Sequence, residues 1–380
     1  MVAQVSSPQC DSSSSTPGAT NNIVPIVVNG GPVNNGFNEP FVSVTVCVPA
    51  TGTCQTIDGI VVDTGSSGLR IASSALRIAL PQQNTGTGLA VAECLPFLDS
   101  VTWGPVVTAD VKMAGEQASA IPIQVIGTDR FPIPSSCSSQ GAPEETPDDL
   151  AANGILGIGQ FGPDCGSDCT IVGASNPGLY YACPPATGCQ ITTQPVANQV
   201  VNPVTRFASD NNGEVIQLPS VPVGGLSSLT GALIFGIGTE SNNGLGSARV
   251  FTVDASGNMR TTFNGQSYPA FIDSGSNAIF FLDTPTTGLP PCQMSTGFYC
   301  PPTLRPFSVT TVGNNGASAV VSFNAGNIDA INATFSVVSE ATGSNPGSFD
   351  WGLPFFYGRA VYIAIAGRST PGGNGPYWAY

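Results

Sequence analysis

Gly59-Ile60-Val61-Val62-Asp63-Thr64-Gly65-Ser66-Ser67-Gly68 places an ionisable aspartate at the end of an apolar, β-branched run and just before a glycine turn. The run has the composition of a buried strand. Ending it on one isolated carboxylate would be costly unless the carboxylate has a partner. A second stretch supplies one. Phe271-Ile272-Asp273-Ser274-Gly275-Ser276-Asn277 has the same order of two apolar residues, Asp, Thr or Ser, Gly and Ser. One Asp-Thr/Ser-Gly match is a weak signal; two, each after an apolar strand and each in its own half of the chain, are much stronger.

A further pair of runs follows the same plan. Asn153–Gly159 reads NGILGIG downstream of Asp63, and Asp350–Phe356 reads DWGLPFF downstream of Asp273. Each half therefore runs from an Asp turn through several strands to an apolar stretch containing glycine, the order expected of an internal duplication.

Composition narrows the chemistry. The 380 residues hold 24 Asp and Glu, 10 Lys and Arg, and no histidine, for a net charge of −14. Without histidine, a Ser-His-Asp triad, a Cys-His pair and every His-bearing zinc site are excluded. Acid–base work at neutral or acidic pH falls to carboxyl groups. Ten scattered basic residues exclude a nucleic-acid surface and argue against an anionic membrane surface. No stretch reaches the roughly 18 apolar residues of a membrane helix. Low pH would neutralise much of this acidic surface, so acid tolerance is the expectation.

Only 9% of residues are charged, while glycine and proline number 46 and 33. Short Val/Ile/Thr/Phe runs recur between Gly/Pro/Asn turns, so a mostly β chain is expected. The stretch from Pro163 to Pro203, rich in Cys, Pro, Gly and Asn, reads as loops around a lobe boundary. Residues 1–22 are rich in Ser, Thr and Asn and lack both a basic start and an apolar run. They read as a flexible leader rather than a signal peptide, and a signal is expected to have been removed.

Eleven cysteines, several close in sequence, point to local disulfides and an oxidising compartment. The expected pairs are Cys47 with Cys54, Cys183 with Cys189 and Cys292 with Cys300, followed by Cys94 with Cys137 and Cys165 with Cys169. Cys10 is left over. The rival is a four-thiolate zinc site from Cys165, Cys169, Cys183 and Cys189, whose spacing is loose for that purpose.

The two Asp turns and the NGILGIG run resemble the pepsin-like aspartic peptidases, with Gly352 or Gly358 as a looser match near the C-terminus. The resemblance covers about residues 38–368. It implies a mostly β, bilobal double-β-barrel chain with a cleft between lobes. The boundaries expected are 23–195 for the lobe carrying DTGSS and 196–380 for the lobe carrying DSGS. It further implies a secreted, periplasmic or cell-surface endopeptidase, monomeric and best at acidic pH, acting on peptide or protein substrates with no metal and no cofactor. Asp63 and Asp273 would be the catalytic pair. Thr64 and Ser274 would lock the two loops together, Gly65 and Gly275 would let backbone approach the carboxyls, and Ser66 and Ser276 would bond their outer oxygens. Ile155-Leu156-Gly157 would cross beneath the first aspartate loop.

Two departures stand out. Gly68-Leu69-Arg70 follows the first motif where the family has a tryptophan shortly after, and no tyrosine lies between Asp63 and Gly159 to serve the flap that covers the family's cleft. A reduced or altered flap is expected, with Phe97 or Trp103 as its apolar cover; the other reading of Trp103 is ordinary core. Two further functional readings remain at this point. One is a non-catalytic pepsin-like protein that binds peptides or glycans or inhibits other enzymes. The other is a carboxylate-pair glycosidase, which needs about 5 Å or more between its carboxyls.

Overall fold

The computed structural model describes residues 22–128, 130–185, 188–331 and 334–380. The leader read at 1–22, except for Asn22, and Cys10 lie outside the described residues. So do Asn332 and Ala333 of Asn332-Ala333-Thr334, which reads in the sequence as an N-glycosylation acceptor in a glycosylating host.

The first half closes a ring of strands. Pro40–Cys47 pairs with Cys54–Asp63, which pairs with Gly154–Ile158, then Ser67–Ala72, Glu116–Ile126 and Ser100–Met113. Ser100–Met113 returns to pair with Pro40–Cys47, so the sheet has no free edge there. The interior is filled by alternating Val and Ile side chains, including Val44, Val46, Ile60, Val62, Ile71 and Ile123. Each contributes about 1.5–3 kcal/mol by leaving water.

The second half builds a separate sheet in the order Ser318–Ala325, Arg305–Val312, Met259–Phe263, Gln266–Ile272, Asn345–Trp351, Ile279–Leu282 and Thr342–Gly343. Its core is aromatic: Phe263, Phe281, Phe307, Phe323, Phe349 and Trp351 pack in tilted, stacked and edge-to-face contacts at 5.1–6.4 Å.

Ile23–Val28 joins the halves. Its alternating exposed and buried residues pair with Pro40–Cys47 on one side and with Leu229–Phe235 on the other. The sheet continues through Gly213–Leu218 to Arg359–Ala364. The chain is thus mostly β, with two barrel-like halves joined by a shared sheet.

The same local geometry occurs in both halves. Cys54–Asp63 runs parallel to Gly154–Ile158, which is antiparallel to Ser67–Ala72, the strand that follows the Asp turn. Gln266–Ile272 runs parallel to Asn345–Trp351, which is antiparallel to Ile279–Leu282. The repeat seen in the sequence is therefore a repeat of strand topology. In the second half Gly352 occupies the crossing, because a Cβ there would lie 2.0 Å from Ala278 O; Gly358 turns at φ 75° elsewhere.

All five expected disulfides form: Cys47–Cys54, Cys94–Cys137, Cys165–Cys169, Cys183–Cys189 and Cys292–Cys300. The zinc reading of Cys165, Cys169, Cys183 and Cys189 is thereby overturned, since their sulfurs are bonded to each other in pairs. The stretch read as loops contains more order than expected. Tyr180–Cys183 adds to the edge of Ala90–Pro96, and Gln190–Ile191 adds to it in turn. Among the described residues no helix is long and apolar enough to cross a membrane.

Candidate active site

Asp63 is the last residue of its strand, paired in register with Gly157. Asp273 directly follows Gln266–Ile272, and its N–H donates to Trp351 O at 3.1 Å. Each strand ends because the next residues turn back as a Gly-Ser loop that wraps its own carboxyl. Gly65 N donates to Asp63 Oδ1 at 2.7 Å, and Ser66 Oγ donates to Asp63 Oδ2. Gly275 N donates to Asp273 Oδ1 at 2.8 Å, and Ser276 Oγ contacts Asp273 Oδ2 at 2.9 Å.

The two loops meet through their glycines. A Cβ on Gly65 would lie 2.8 Å from Asp273 Cγ, and one on Gly275 would lie 2.9 Å from Asp63 Oδ1. Only glycine allows this approach. Both glycines are exposed while Asp63 is buried, so the carboxyls sit at the floor of an opening.

Thr64 and Ser274 hold the loops in that position. Ser274 N donates to Thr64 Oγ1 at 2.9 Å, and Thr64 N donates to Ser274 Oγ at 3.1 Å. Each hydroxyl then donates across the halves, Thr64 to Ile272 O at 3.1 Å and Ser274 to Val62 O at 2.6 Å. Both side chains are buried, so every polar atom of the cross-link is satisfied away from water.

The electrostatics follow from this closeness. Burial pushes the Asp273 carboxyl well above its ordinary range. The charges of Asp63 and Asp350 and a hydrogen bond to Asp63 push the same way, and Ser276 pulls back. Two carboxyls within hydrogen-bonding reach cannot both ionise cheaply, and their protons belong to the pair.

Arg70 explains the missing tryptophan. It is wholly buried, donates to Glu93 Oε1 at 2.8 Å and Asp164 Oδ2 at 3.1 Å, and also reaches Ser67 O at 2.8 Å. Tyr180 OH completes the network, donating to Asp164 Oδ1 at 2.7 Å and accepting from Val200 N at 2.8 Å. Burial opposes the charge on Arg70, but Glu93 and Asp164 outweigh it and raise its pKa. Burial, followed by the charge of Glu93, raises Asp164.

Glu93 belongs to the hairpin of Ala90–Pro96 and Ser100–Met113, whose tip is residues 97–99. The ion pair therefore ties this hairpin to the strand that follows Asp63. Phe97 is half-buried near the tip and packs against the cluster of Phe41, Val61, Ala152 and Ile155. Trp103 is not a cover. It is 1% exposed, meets Tyr181 edge-on at 5.1 Å and donates from Nε1 to Phe131 O at 2.8 Å. Its large apolar ring is more stable inside the Cys94–Cys137 cluster than over an open cleft.

Sequence reasoning missed Asp350. This residue is 3% exposed, and its Oδ2 lies 2.7 Å from Ser276 Oγ. The signal was present in the DWG run, where a carboxylate precedes a buried Trp-Gly.

A cavity of about 620 Å³ opens beside Gly65 and Ser66, bordered by Phe161, Thr205, Arg206 and Arg368.

The family described as "Protein of unknown function (DUF3443)" matches residues 18–380. The chain belongs to that family. No curated protein matches the chain. Among solved structures, the aspartic proteinase from Irpex lacteus is 15% identical with a TM-score of 0.53, covering 94% of this chain and 96% of that one. At that identity the likeness establishes the fold: this DUF3443 chain has the bilobal, double-β-barrel architecture of the pepsin-like proteins.

Proposed function

We propose that the chain is an aspartic endopeptidase, with Asp63 and Asp273 as its catalytic pair and a peptide held between lobes 23–195 and 196–380. The observation that carries this reading is the reciprocal approach of Gly65 to Asp273 and Gly275 to Asp63, which brings the two carboxyls together at an opening.

One proton is shared by the pair, and the upward push of burial on the Asp273 carboxyl is the ground for drawing it there. Asp63 then acts as base. It takes a proton from a water lying between the carboxyls, and the water oxygen attacks the scissile carbonyl carbon. Asp273 donates its proton to the carbonyl oxygen, giving a neutral gem-diol. Collapse of the diol breaks the C–N bond, with the proton on Asp63 passing to the amine nitrogen and a diol proton returning to Asp273. No covalent intermediate forms, so no serine or cysteine nucleophile is needed. The carboxyl pair, not a metal or cofactor, supplies the acid and the base.

The Gly-Ser loops orient the carboxyls through fixed donors rather than mobile water, which is the arrangement that favours catalysis. The cavity beside Gly65 offers room for a substrate side chain. The five disulfides fit an oxidising compartment, and we place the protein outside the cytoplasm, secreted or periplasmic and acting as a monomer.

Digestion of casein or haemoglobin from pH 3 to 7 tests the reading. Cleavage strongest at acidic pH and blocked by a statine-type transition-state mimic is expected. A folded protein that binds peptide and never cuts it would move the reading to a non-catalytic binding or inhibitory role.

A further inference from the structure

Asp350 stands where the first half has an apolar residue. Strand register makes Asp350-Trp351-Gly352 the counterpart of Ile155-Leu156-Gly157: Val61 pairs with Ile155, and Phe271 pairs with Asp350. Ile155 packs into an apolar cluster, as its position demands. Its counterpart is a carboxyl, almost fully buried, with Oδ1 lacking any hydrogen-bond partner. Burying an unpaired charge there would be expensive, whereas a neutral carboxyl is tolerated.

The contacts of Ser276 point the same way. Its Oγ lies 2.9 Å from Asp273 Oδ2 and 2.7 Å from Asp350 Oδ2. A hydroxyl carries one proton and can donate to only one of these oxygens. Both contacts are hydrogen bonds only if one carboxyl is protonated and donates to Ser276. Asp350 fits that role on its geometry: it is buried with Oδ1 unpartnered, which an ionised carboxylate would not tolerate, whereas Asp273 has Asp63 as a second partner for any proton it carries. Burial and then the charge of Asp63 also push Asp350 up to about 7 against the pull of Ser276. The titratable groups acting on it from neighbouring elements are Asp63 and Asp273. Its partners in the strand ladders, Phe271 and Phe280, carry no charge.

We propose that Asp350 is a positioning residue of this site: neutral, it donates to Ser276 Oγ so that Ser276 donates to Asp273, and its ionisation withdraws that donor and closes the alkaline side of activity. When Asp350 loses its proton to solvent, the Ser276 hydroxyl turns to the new carboxylate. Asp273 then loses a hydrogen bond and gains a negative neighbour, and the shared-proton state of the pair is disturbed. The consequence for activity rests on the catalytic reading of Asp63 and Asp273; the protonation of Asp350 does not.

The test combines pH–rate profiles with infrared difference spectra of the full chain between pH 5 and 8. In Asp350→Asn the side chain stays neutral and keeps a donor, so the alkaline limb should move up by about one pH unit, a tenfold gain at a fixed pH on that limb. Asp350→Ala has no donor, so kcat should fall across the whole range with KM little changed, and Asp350→Asn should restore it. In the infrared, one carboxyl's share of the neutral-carboxyl band lost on raising the pH should be missing from Asp350→Asn, while the shares of Glu39 and Glu144 remain. It should shift in Ser276→Ala, which serves if the Asp350 variants do not fold. An alkaline limb identical in parent and Asp350→Asn, or the full carboxyl band surviving in that variant, overturns the proposal. If the parent cleaves nothing, the catalytic reading has failed, and the infrared difference alone decides for or against a neutral Asp350.

Discussion

Thr64 and Ser274 each donate a hydroxyl proton to the backbone carbonyl preceding the other's aspartate, Thr64 to Ile272 O at 3.1 Å and Ser274 to Val62 O at 2.6 Å. Each hydroxyl also accepts the other residue's backbone N–H. The two halves of the chain are thus coupled at the point where their carboxyls meet.

Ser274→Ala should remove the partner of the buried Thr64 N–H and one donor to Val62 O, costing about 1–3 kcal/mol. Thr64→Val should cost a similar amount. The double variant should be less damaging than the sum, with a coupling of about 0.5–3 kcal/mol in a urea-unfolding cycle. Additive effects would mean the two hydroxyls do not act as one unit.

Arg70→Met should be among the most destabilising single substitutions. It strands Glu93 and Asp164 in the interior, and breaking such a buried pair costs about 3–5 kcal/mol. Adding Glu93→Gln should recover part of that loss by removing one stranded carboxylate. Unfolding midpoints in urea for the single and double variants check the order.

Stability should fall as pH rises from about 4 to 8. Burial raises Glu39 to about 8 and Glu144 and Asp350 to about 7, and raises Glu214 and Asp273 as well. Unfolded carboxyls titrate near pH 4. Across the window between, the folded chain binds more protons than the unfolded one, so the slope of stability with pH is negative. The contribution is complete below the unfolded values and is lost as pH climbs through the folded ones. The lowered carboxyls, exposed Asp149 and half-buried Asp283 and Asp329, act in the opposite sense only below about pH 4. A melting temperature highest near pH 4–5 and declining toward pH 8 is the expected profile.

Cys94–Cys137 spans 43 residues and fixes the hairpin strand that bears Glu93. Replacing both with serine should cost about 4 kcal/mol on loop-entropy grounds. Removing Cys165–Cys169, which closes a separation of only 4, should cost clearly less. Thermal unfolding of the two double variants gives the comparison.

The two aspartate loops and the disulfide pairs were legible in the sequence because each is a local pattern: an apolar run ending at Asp-Thr/Ser-Gly, or two cysteines across a short turn. Cys94 with Cys137 was the exception, since 43 residues separate them and no local turn joins them. Arg70 was visible only as a missing tryptophan. Its meaning depends on Glu93 and Asp164, and no short-range pattern joins the three. Trp103 looked able to cover a cleft because a sequence does not say which face of a strand meets the core. The strand at Tyr180–Cys183 was hidden in a Cys- and Pro-rich stretch, since its order comes from pairing with Ala90–Pro96 rather than from its own propensity. Asp350 was passed over because its run matched the apolar-glycine plan closely enough to mask the one carboxyl in it.

The central claim is tested most directly by the rate of peptide cleavage at pH 4 in Asp63→Asn and Asp273→Asn, each compared with the parent at matched folded content. The account predicts that both variants lose activity by at least about a thousandfold, a barrier increase of about 4 kcal/mol, while keeping the parent's near-ultraviolet circular dichroism. Cleavage at the parental rate by either folded variant would contradict it.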